Sequence, residues 1–332
     1  MEKSEKKNGF VGKLLILSAT IVWGSSFVIL KDTLNEFGDG HFTFFILACR
    51  FLIACMIFLA FSVKRFNKFN KKILVHGIIL GIILFFAYAI QTVALHYTTP
   101  SKNAFLTETY CILVPFMMWI FFKKKIGLKN FITAVICLAG VVIIAFFGRN
   151  DSAPNELLGD GLTVLCGVFY ALQMIFISQF KEDDSLLLLI VEMAVVMVLC
   201  FGTSAIIEFP KYSSSLSFNF ECGWRIVYLG VFATAYAQFA QLHGQKYTTP
   251  TTTSLILCFE GVFSVLFEFI FGYNNLNAYI ITGFALILST LVINEIDFAA
   301  IRNSLKSKKE AQLVNGSNKS TIKGDNDEKI TR

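Results

Sequence analysis

Five ionisable side chains lie inside long apolar runs of this sequence, where charges are rare. They are one cation, Arg50, and four carboxylates, Glu108, Glu192, Glu260 and Glu268. A charge at the centre of a bilayer costs about 2.5–3.5 kcal/mol, so such residues normally face a cavity or a partner. One arginine cannot neutralise four carboxylates, and the others must be hydrated, protonated or close to an interface.

Depth within the runs separates these carboxylates. Glu192 and Glu268 are near the ends of their runs, and we expect them to snorkel to water. At about 1.5 Å per residue, Glu108 lies about 10 Å and Glu260 about 14 Å into their helices. A carboxyl at that depth could hold an amine or exchange a proton, or simply bond to a neighbouring helix. For Arg50 a structural tie is favoured over a substrate contact.

Amide and aromatic side chains form a second set of candidates. Several of them are spaced three residues apart, so each pair shares one helix face. Either a water-filled cavity or a neighbouring helix would supply the hydrogen bonds that they need, and Trp23 could stack on a flat solute or be buried in lipid. The predicted substrate-binding residues are Trp23, Tyr88, Gln91, Glu108, Gln173, Tyr236, Gln238, Gln241 and Glu260, with Arg50 as the intramembrane charge partner.

The composition explains why these polar residues stand out. The chain has 332 residues, of which 55% are hydrophobic and only 16% are charged, with 36 Phe and a mean hydropathy of +0.64. This excludes a soluble dehydrogenase, nuclease or kinase. The eight Cys show no Cys-x-x-Cys pair and no zinc spacing with His. They are interpreted as packing residues, and no metal, cofactor or catalytic residue is predicted.

Ten runs are long and apolar enough to cross a bilayer as helices. They lie near residues 14–33, 42–62, 73–97, 101–122, 128–147, 158–180, 185–207, 224–247, 251–272 and 278–298. With the N-terminus inside, 23 Lys and Arg fall on the inner side and five on the outer side. This bias predicts that both termini are cytoplasmic, and it explains the net charge of +6 without nucleic acid.

The sequence also repeats itself. Tyr97-Thr98-Thr99-Pro100 recurs as Tyr247-Thr248-Thr249-Pro250, and Ala87-Tyr88-Ala89 recurs as Ala235-Tyr236-Ala237, at nearly the same offset. Because each unit has five helices, an odd number, the second copy enters the membrane from the opposite side. Such inverted repeats are common in secondary transporters, whose substrate site lies near the midplane between the repeats. Gly77 and Gly81 are interpreted as a helix-packing motif.

Short motifs along these runs resemble EamA-type permeases of the drug/metabolite transporter superfamily. They are Ile21-Val22-Trp23-Gly24-Ser25-Ser26-Phe27, Arg50-Phe51-Leu52, the two Tyr-Thr-Thr-Pro joints, Pro115 and Glu260. The chain departs from the family pattern at Gly261, where a Pro commonly follows the Glu. Phe122-Lys123 and Gly272-Tyr273 replace the Gly-Glu that often closes helices 4 and 9.

The sequence therefore predicts an all-α integral membrane protein with ten transmembrane helices in two inverted five-helix repeats. The predicted parts are a cytoplasmic N-terminus (1–13), two EamA-like repeats (14–148 and 158–298), an outer linker (149–157) and a disordered cytoplasmic tail (299–332). The resemblance implies a plasma-membrane transporter that exports an amino acid or related metabolite by alternating access. A membrane-embedded enzyme or receptor with the same cavity is the alternative. Expected partners are the solute, the bilayer and a coupling proton, with a homodimer left open and no nucleic acid.

Overall fold

Helices make up the regular structure of this chain in the computed structural model, which describes residues 2–123, 127–147, 156–216, 219–272 and 277–295. Within these ranges there is no strand. Residues Met1–Leu291 form one unit, and the second, Val292–Arg332, is described only to residue 295. The predicted disordered tail lies outside the described residues, as does most of the predicted linker.

Fourteen α-helices are labelled in chain order within the described ranges. They are α1 (Glu2–Glu36), α2 (Thr43–Ser62), α3 (Lys71–Leu95), α4 (Pro100–Thr107), α5 (Tyr110–Phe122), α6 (Leu128–Phe147), α7 (Glu156–Gln179), α8 (Ser185–Ile207), α9 (Phe209–Tyr212), α10 (Phe220–Tyr228), α11 (Ala237–Gln245), α12 (Pro250–Leu257), α13 (Phe259–Ile270) and α14 (Ala278–Glu295). A π-helical segment, Leu229–Tyr236, joins α10 to α11.

Seven helical stretches in the described ranges are long and apolar enough to span a membrane. They are Asn8–Gly40, Thr43–Lys68, Lys71–Leu95, Pro100–Phe122, Leu157–Gln179, Ser185–Ile207 and Pro250–Ile270. The other three predicted runs coincide with α6, with α14 and with the stretch from α10 to α11. The all-helical class is confirmed, while the count of ten crossings stays a prediction.

The two Tyr-Thr-Thr-Pro joints are helix starts. The Thr99 hydroxyl accepts a hydrogen bond from the Lys102 N–H at 3.3 Å, and the Thr249 hydroxyl accepts one from the Thr252 N–H at 3.1 Å. In each case proline follows as the first helical residue, where its missing N–H and fixed φ cost nothing. The repeated tetrapeptide therefore begins α4 and α12 in the same way.

Both helices that begin at these joints are broken after eight residues. α4 ends at Thr107 and α5 begins at Tyr110; α12 ends at Leu257 and α13 begins at Phe259. At the first break, several backbone hydrogen bonds join residues three apart, and the Glu108 N–H is shared between the carbonyls three and four residues back. The three-residue spacing is the tighter 3₁₀ pattern that often marks a functional hinge. Interrupted helices at corresponding places in two halves are typical of transporter binding sites.

Helix packing follows a pairwise pattern. α1 packs on α11 and α13, and α7 packs on α3 and α5. α2 packs on α8. The broken helices also meet each other, since α4 packs on α13 and α5 packs on α12. Gly77 and Gly81 of α3 bring that helix against α8. A Cβ at Gly77 would lie 2.5 Å from Val191 Cβ, and one at Gly81 would lie 2.6 Å from Val195 Cβ. The interpretation of these glycines as packing residues is confirmed.

Candidate functional site

A cavity lies where α1, α2, α3, α7 and α11 meet the two broken helices. It is lined by Trp23, Ser26, Phe27, Leu30, Arg50, Tyr88, Gln91, Thr107, Tyr110, Tyr170, Met174, Gln241, Leu257 and Glu260. The space open to the centre of a water molecule is about 30 Å³, enough for about two waters. The cavity is therefore small, and its walls combine charged, polar and apolar side chains.

Arg50 supplies the positive charge of this cavity. It is 1% exposed, its Nε donates to Thr234 Oγ1 at 2.8 Å, and its Nη2 donates to the Ala233 carbonyl at 3.4 Å. Its Cζ lies 4.9 Å from the centre of the Tyr88 ring, a cation–π distance. Arg50 forms no ion pair with any residue that the structure describes, so part of its guanidinium charge remains unbalanced.

Glu260 supplies the negative charge. It occupies the first turn of α13, where the positive end of the helix dipole stabilises an anion. Its side chain is partly buried, and within the described ranges it has neither a hydrogen-bond partner nor an ion-pair partner. A carboxylate that faces a cavity without a protein partner is free to bind a cationic group or a proton.

The π-helical segment shapes the wall next to Arg50. Thr234 donates its hydroxyl to the Leu229 carbonyl, five residues back, while its oxygen accepts from Arg50. The Ala233 carbonyl also accepts from Trp23 Nε1 at 2.8 Å. The wider π-turn thus connects α1 and α2 at the cavity, as π-bulges often do at functional sites.

Two sets of hydrogen bonds hold Gln91 and Tyr88 in place in the cavity wall. Gln91 accepts from the Tyr170 hydroxyl at 2.7 Å and donates to Thr107 Oγ1 at 3.0 Å. Gln238 donates to the Tyr88 hydroxyl at 3.3 Å. These bonds fix the orientation of the Gln91 and Tyr88 side chains, whereas Gln238 only supports Tyr88.

Two lining groups retain unused hydrogen-bonding capacity. The Gln241 amide has no hydrogen-bond partner among the described residues, and the Tyr110 hydroxyl is buried without one. With Arg50 and Glu260, these side chains offer a charged and polar surface to a solute.

Comparison with known proteins identifies the family. A sequence model of the EamA-like transporter family matches residues 10–146 and again residues 157–295. The chain belongs to this family. With its long apolar helices, this EamA-like protein is a multi-pass membrane protein of a transporter family, and the resemblance inferred from the short motifs is confirmed.

Relatives of this EamA-like protein are also described as transporters. Two are uncharacterized transporters from Archaeoglobus fulgidus. One is 27% identical over 248 residues, covering 75% of this chain and 74% of the relative; the other is 23% identical over 267 residues, covering 77% and 87%. A protein of known crystal structure shares the fold with a TM-score of 0.68 at 17% identity, covering 86% of this chain and 96% of that one.

Within this EamA-like protein, Glu108 lies outside the cavity lining. Its Oε1 accepts the backbone N–H of Gly261 at 2.8 Å, so it caps the free amino end of α13. The bond also explains the departure at Gly261. A proline there would have no N–H to donate, and a Cβ at this position would lie 2.4 Å from Glu108 Oε1.

Three other predicted site residues are also absent from the lining. Gln173 is fully buried and donates to Glu192 Oε1 at 2.9 Å. Tyr236 is 41% exposed, with its hydroxyl 2.7 Å from Ser18 Oγ. Gln238 reaches the cavity only through Tyr88. The cavity thus brings together Trp23, Arg50, Tyr88, Gln91, Gln241 and Glu260 from the predicted set.

The prediction that Glu192 and Glu268 snorkel to water is wrong. Glu192 is 0% exposed and Glu268 is 1% exposed. Glu192 bonds to Gln173, and Glu268 accepts the Ser101 N–H at 2.9 Å at the start of α4. Both carboxylates are held by neighbouring helices, although Glu192 Oε2 is buried without a hydrogen-bond partner among the described residues.

Arg50 is also not the only buried cation in the helices. Lys102 of α4 is 3% exposed and pairs with Asp160 of α7 at 3.0 Å. Lys102, two residues past the first Tyr-Thr-Thr-Pro joint, is one of the five basic residues that the sequence predicts on the outer side. The early turns of α4 are instead covered by α7 and α13.

Eight lining residues were not among the predicted site residues, four of them apolar and four polar: Phe27, Leu30, Met174 and Leu257, and Ser26, Thr107, Tyr110 and Tyr170. Tyr110 corresponds to Glu260 at the 150-residue offset of the repeated joints. That offset could have identified it, whereas nothing in the sequence distinguishes Phe27 or Met174 from other apolar residues of their helices.

Proposed function

We propose that this protein is a secondary transporter that exports an amino acid with an apolar side chain. The observation that carries the proposal is that Arg50 and Glu260 line one cavity, and neither forms an ion pair with any residue in the described ranges. Export is the direction that the family resemblance implies.

The charge pattern fits a zwitterion. Arg50 presents a guanidinium that can bind a carboxylate through paired hydrogen bonds, and Glu260 presents a carboxylate for an ammonium group. Leu30, Met174 and Leu257 offer an apolar surface to a side chain. A cationic solute would leave Arg50 unmatched, and an anionic solute would leave Glu260 unmatched. An unmatched charge is costly in a site shielded from water.

Alternating access would supply the movement that the site requires. A space for about two waters is too small for an amino acid, so the walls must separate before a solute enters. The two broken helices carry Tyr110 and Glu260 and provide hinges for such a change. Glu260 would also exchange a proton if transport is proton-coupled.

The ten-span inverted repeat is part of the same proposal. The contacts of α1 with α11 and α13 correspond to those of α7 with α3 and α5, as two copies of one unit would give. Both termini would be cytoplasmic, in the plasma membrane. A reporter active only outside the cell should be silent after Lys68, residue 125 or residue 310, and active after Gly38 or residue 155. Activity after residue 125 would contradict the ten-span count.

Flux into liposomes tests the substrate class. Purified protein is screened with amino acids, amines and nucleosides, and leucine is then compared with isoamylamine, which lacks the carboxylate, and 4-methylpentanoate, which lacks the amine. We expect leucine flux to exceed that of both analogues at least tenfold. Arg50→Gln should reduce leucine flux and lower the ratio of leucine flux to isoamylamine flux. Glu260→Gln should lower the ratio of leucine flux to 4-methylpentanoate flux.

Equal flux of the three compounds would contradict zwitterion recognition. Saturable binding of solute with no flux in any vesicle would instead indicate a receptor, and chemical conversion of a bound solute would indicate an enzyme.

A further inference from the structure

Three cysteine sulfurs meet beside the two helix breaks. Cys111 lies near the start of α5, Cys137 on α6 and Cys258 at the junction of α12 and α13. Their Sγ atoms all lie within 4.8 Å of one another, and those of Cys111 and Cys137 are 2.9 Å apart. All three residues are buried, at 4%, 0% and 0% exposure. The interpretation of each cysteine as an isolated packing residue missed this cluster.

The donor set selects a soft metal ion. Thiolates bind Cu(I), zinc and iron–sulfur clusters, whereas oxygen ligands suit Mg²⁺ and Ca²⁺. Three sulfurs around one ion at about 2.3 Å would lie about 4 Å apart, so the Cys111 and Cys137 sulfurs, now 2.9 Å apart, would have to separate by about 1 Å. Structural zinc is nearly always four-coordinate, and the cluster has three members among the described residues. Three-coordinate Cu(I) fits this number.

Binding also requires that the thiols ionise, because the thiolate is the form that ligates a metal. Each of the three cysteines therefore releases its thiol proton to the medium as its sulfur binds Cu(I), and the affinity should rise with pH. Cys258 now donates to the Ser254 carbonyl at 3.2 Å, so its thiol has only a weak bond to give up.

We propose that Cys111, Cys137 and Cys258 form a binding site for one Cu(I) ion. The three ligands come from helices of both predicted repeats, and Cys258 is two residues from Glu260. A bound ion would tie the start of α5 and α6 to the second helix break, and so hold together two elements that form the cavity wall.

A titration of the full-length protein in detergent tests the site without any transport measurement. Reduced protein is titrated anaerobically with Cu(I) buffered by a bathocuproine chelator, and thiolate-to-copper charge-transfer absorption is recorded. We expect one equivalent of Cu(I) to bind. Cys111→Ser, Cys137→Ser and Cys258→Ser should each weaken the binding at least a hundredfold.

Cys166→Ser is the matched control, because Cys166 is equally buried and its sulfur likewise donates to a helix carbonyl, that of Thr163, at 2.9 Å. It should bind Cu(I) as the unaltered protein does. Unchanged affinity in Cys111→Ser would overturn the proposal.

X-ray absorption of the Cu(I)-loaded, unaltered protein gives a test that does not depend on folding of the variants. Three sulfur neighbours at about 2.3 Å are expected. Two sulfurs, or nitrogen and oxygen neighbours, would contradict the site, as would protein that takes up no copper after full reduction. Because solute flux plays no part, failure here leaves the zwitterion proposal to its own test.

Discussion

The two helix breaks have the same backbone design but offer different chemistry. The first break carries Glu108, whose carboxylate is bound to the Gly261 N–H of α13. The second carries Glu260, which faces the cavity and has no partner among the described residues. At the 150-residue offset, Glu108 corresponds to Cys258 and Tyr110 to Glu260. The repeated backbone has therefore kept its helix breaks, while the carboxylate at each break has a different environment.

The difference shows how a buried carboxylate that caps a helix start can be told from one that is available to a ligand. Free N–H groups at a helix start need acceptors, and carboxylates from other helices supply them at several places. Glu268 binds the start of α4, and Glu208 accepts the Phe44 and Phe45 N–H groups at the start of α2 at 2.7 and 3.0 Å. Glu108 belongs with these. Glu260 does not, because it lies in the first turn of α13 itself and accepts no helix-start N–H among the described residues.

The largest effect on stability is expected when the contact between Glu108 at the first break and Gly261 beside the second break is disturbed. In Gly261→Ala the new Cβ would lie 2.4 Å from Glu108 Oε1 and 2.6 Å from Phe105 Cδ1. Phe105 is fully buried, so the strain cannot be relieved easily. Overpacking and a weakened hydrogen bond should together destabilise the protein by about 3 kcal/mol, seen as a lower thermal midpoint in detergent.

Gly202→Ala is the control for that substitution. Gly202 lies in α8, and a Cβ there would meet nothing within 4 Å. Its thermal midpoint should not fall. If Gly261→Ala melts as Gly202→Ala does, the contact between the breaks contributes little to stability.

Glu260→Gln should separate activity from folding. Glutamine keeps the size of the side chain and its ability to form hydrogen bonds, but it cannot ionise. Solute flux in liposomes should fall at least about tenfold, equivalent to about 1.4 kcal/mol, with an unchanged thermal midpoint. Flux at the normal rate would reduce Glu260 to a structural residue.

Glu108→Gln should have the smallest effect, because the amide oxygen of glutamine can still accept the Gly261 N–H. Flux should stay within about threefold of normal, and stability should change by less than about 1.5 kcal/mol, the scale of one net hydrogen bond. A fall in flux as large as that of Glu260→Gln, measured in the same vesicles, would show that both breaks take part in transport.

The elements of this fold were predictable because they depend on neighbouring residues. A run of about 20 apolar residues forms a helix in lipid whatever surrounds it, and Thr99-Pro100 and Thr249-Pro250 begin helices through bonds within one turn. The helix breaks were not predicted, since the residues between the helices, Glu108 and Thr109 at the first break and Cys258 at the second, are neither glycine nor proline.

The candidate site was predictable only in part. The sequence singled out Arg50 and Glu260 because charges are rare in apolar runs, and the structure places both in the cavity wall. The sequence made Glu108 an equally strong candidate for the site. Depth along a helix is a one-dimensional quantity, and it does not distinguish a carboxylate that binds a backbone N–H from one that faces open space.

Hydrophobic length, helix starts and the repeated joints were determined by the sequence itself, since each depends on consecutive residues. Only the tertiary structure decided that Glu108 meets Gly261, that Lys102 is buried against Asp160, and that Cys111, Cys137 and Cys258 share one site. These partners come from separate helices, and Glu108 and Gly261 are 153 residues apart. Their meeting depends on how whole helices pack, which no local pattern of residues specifies.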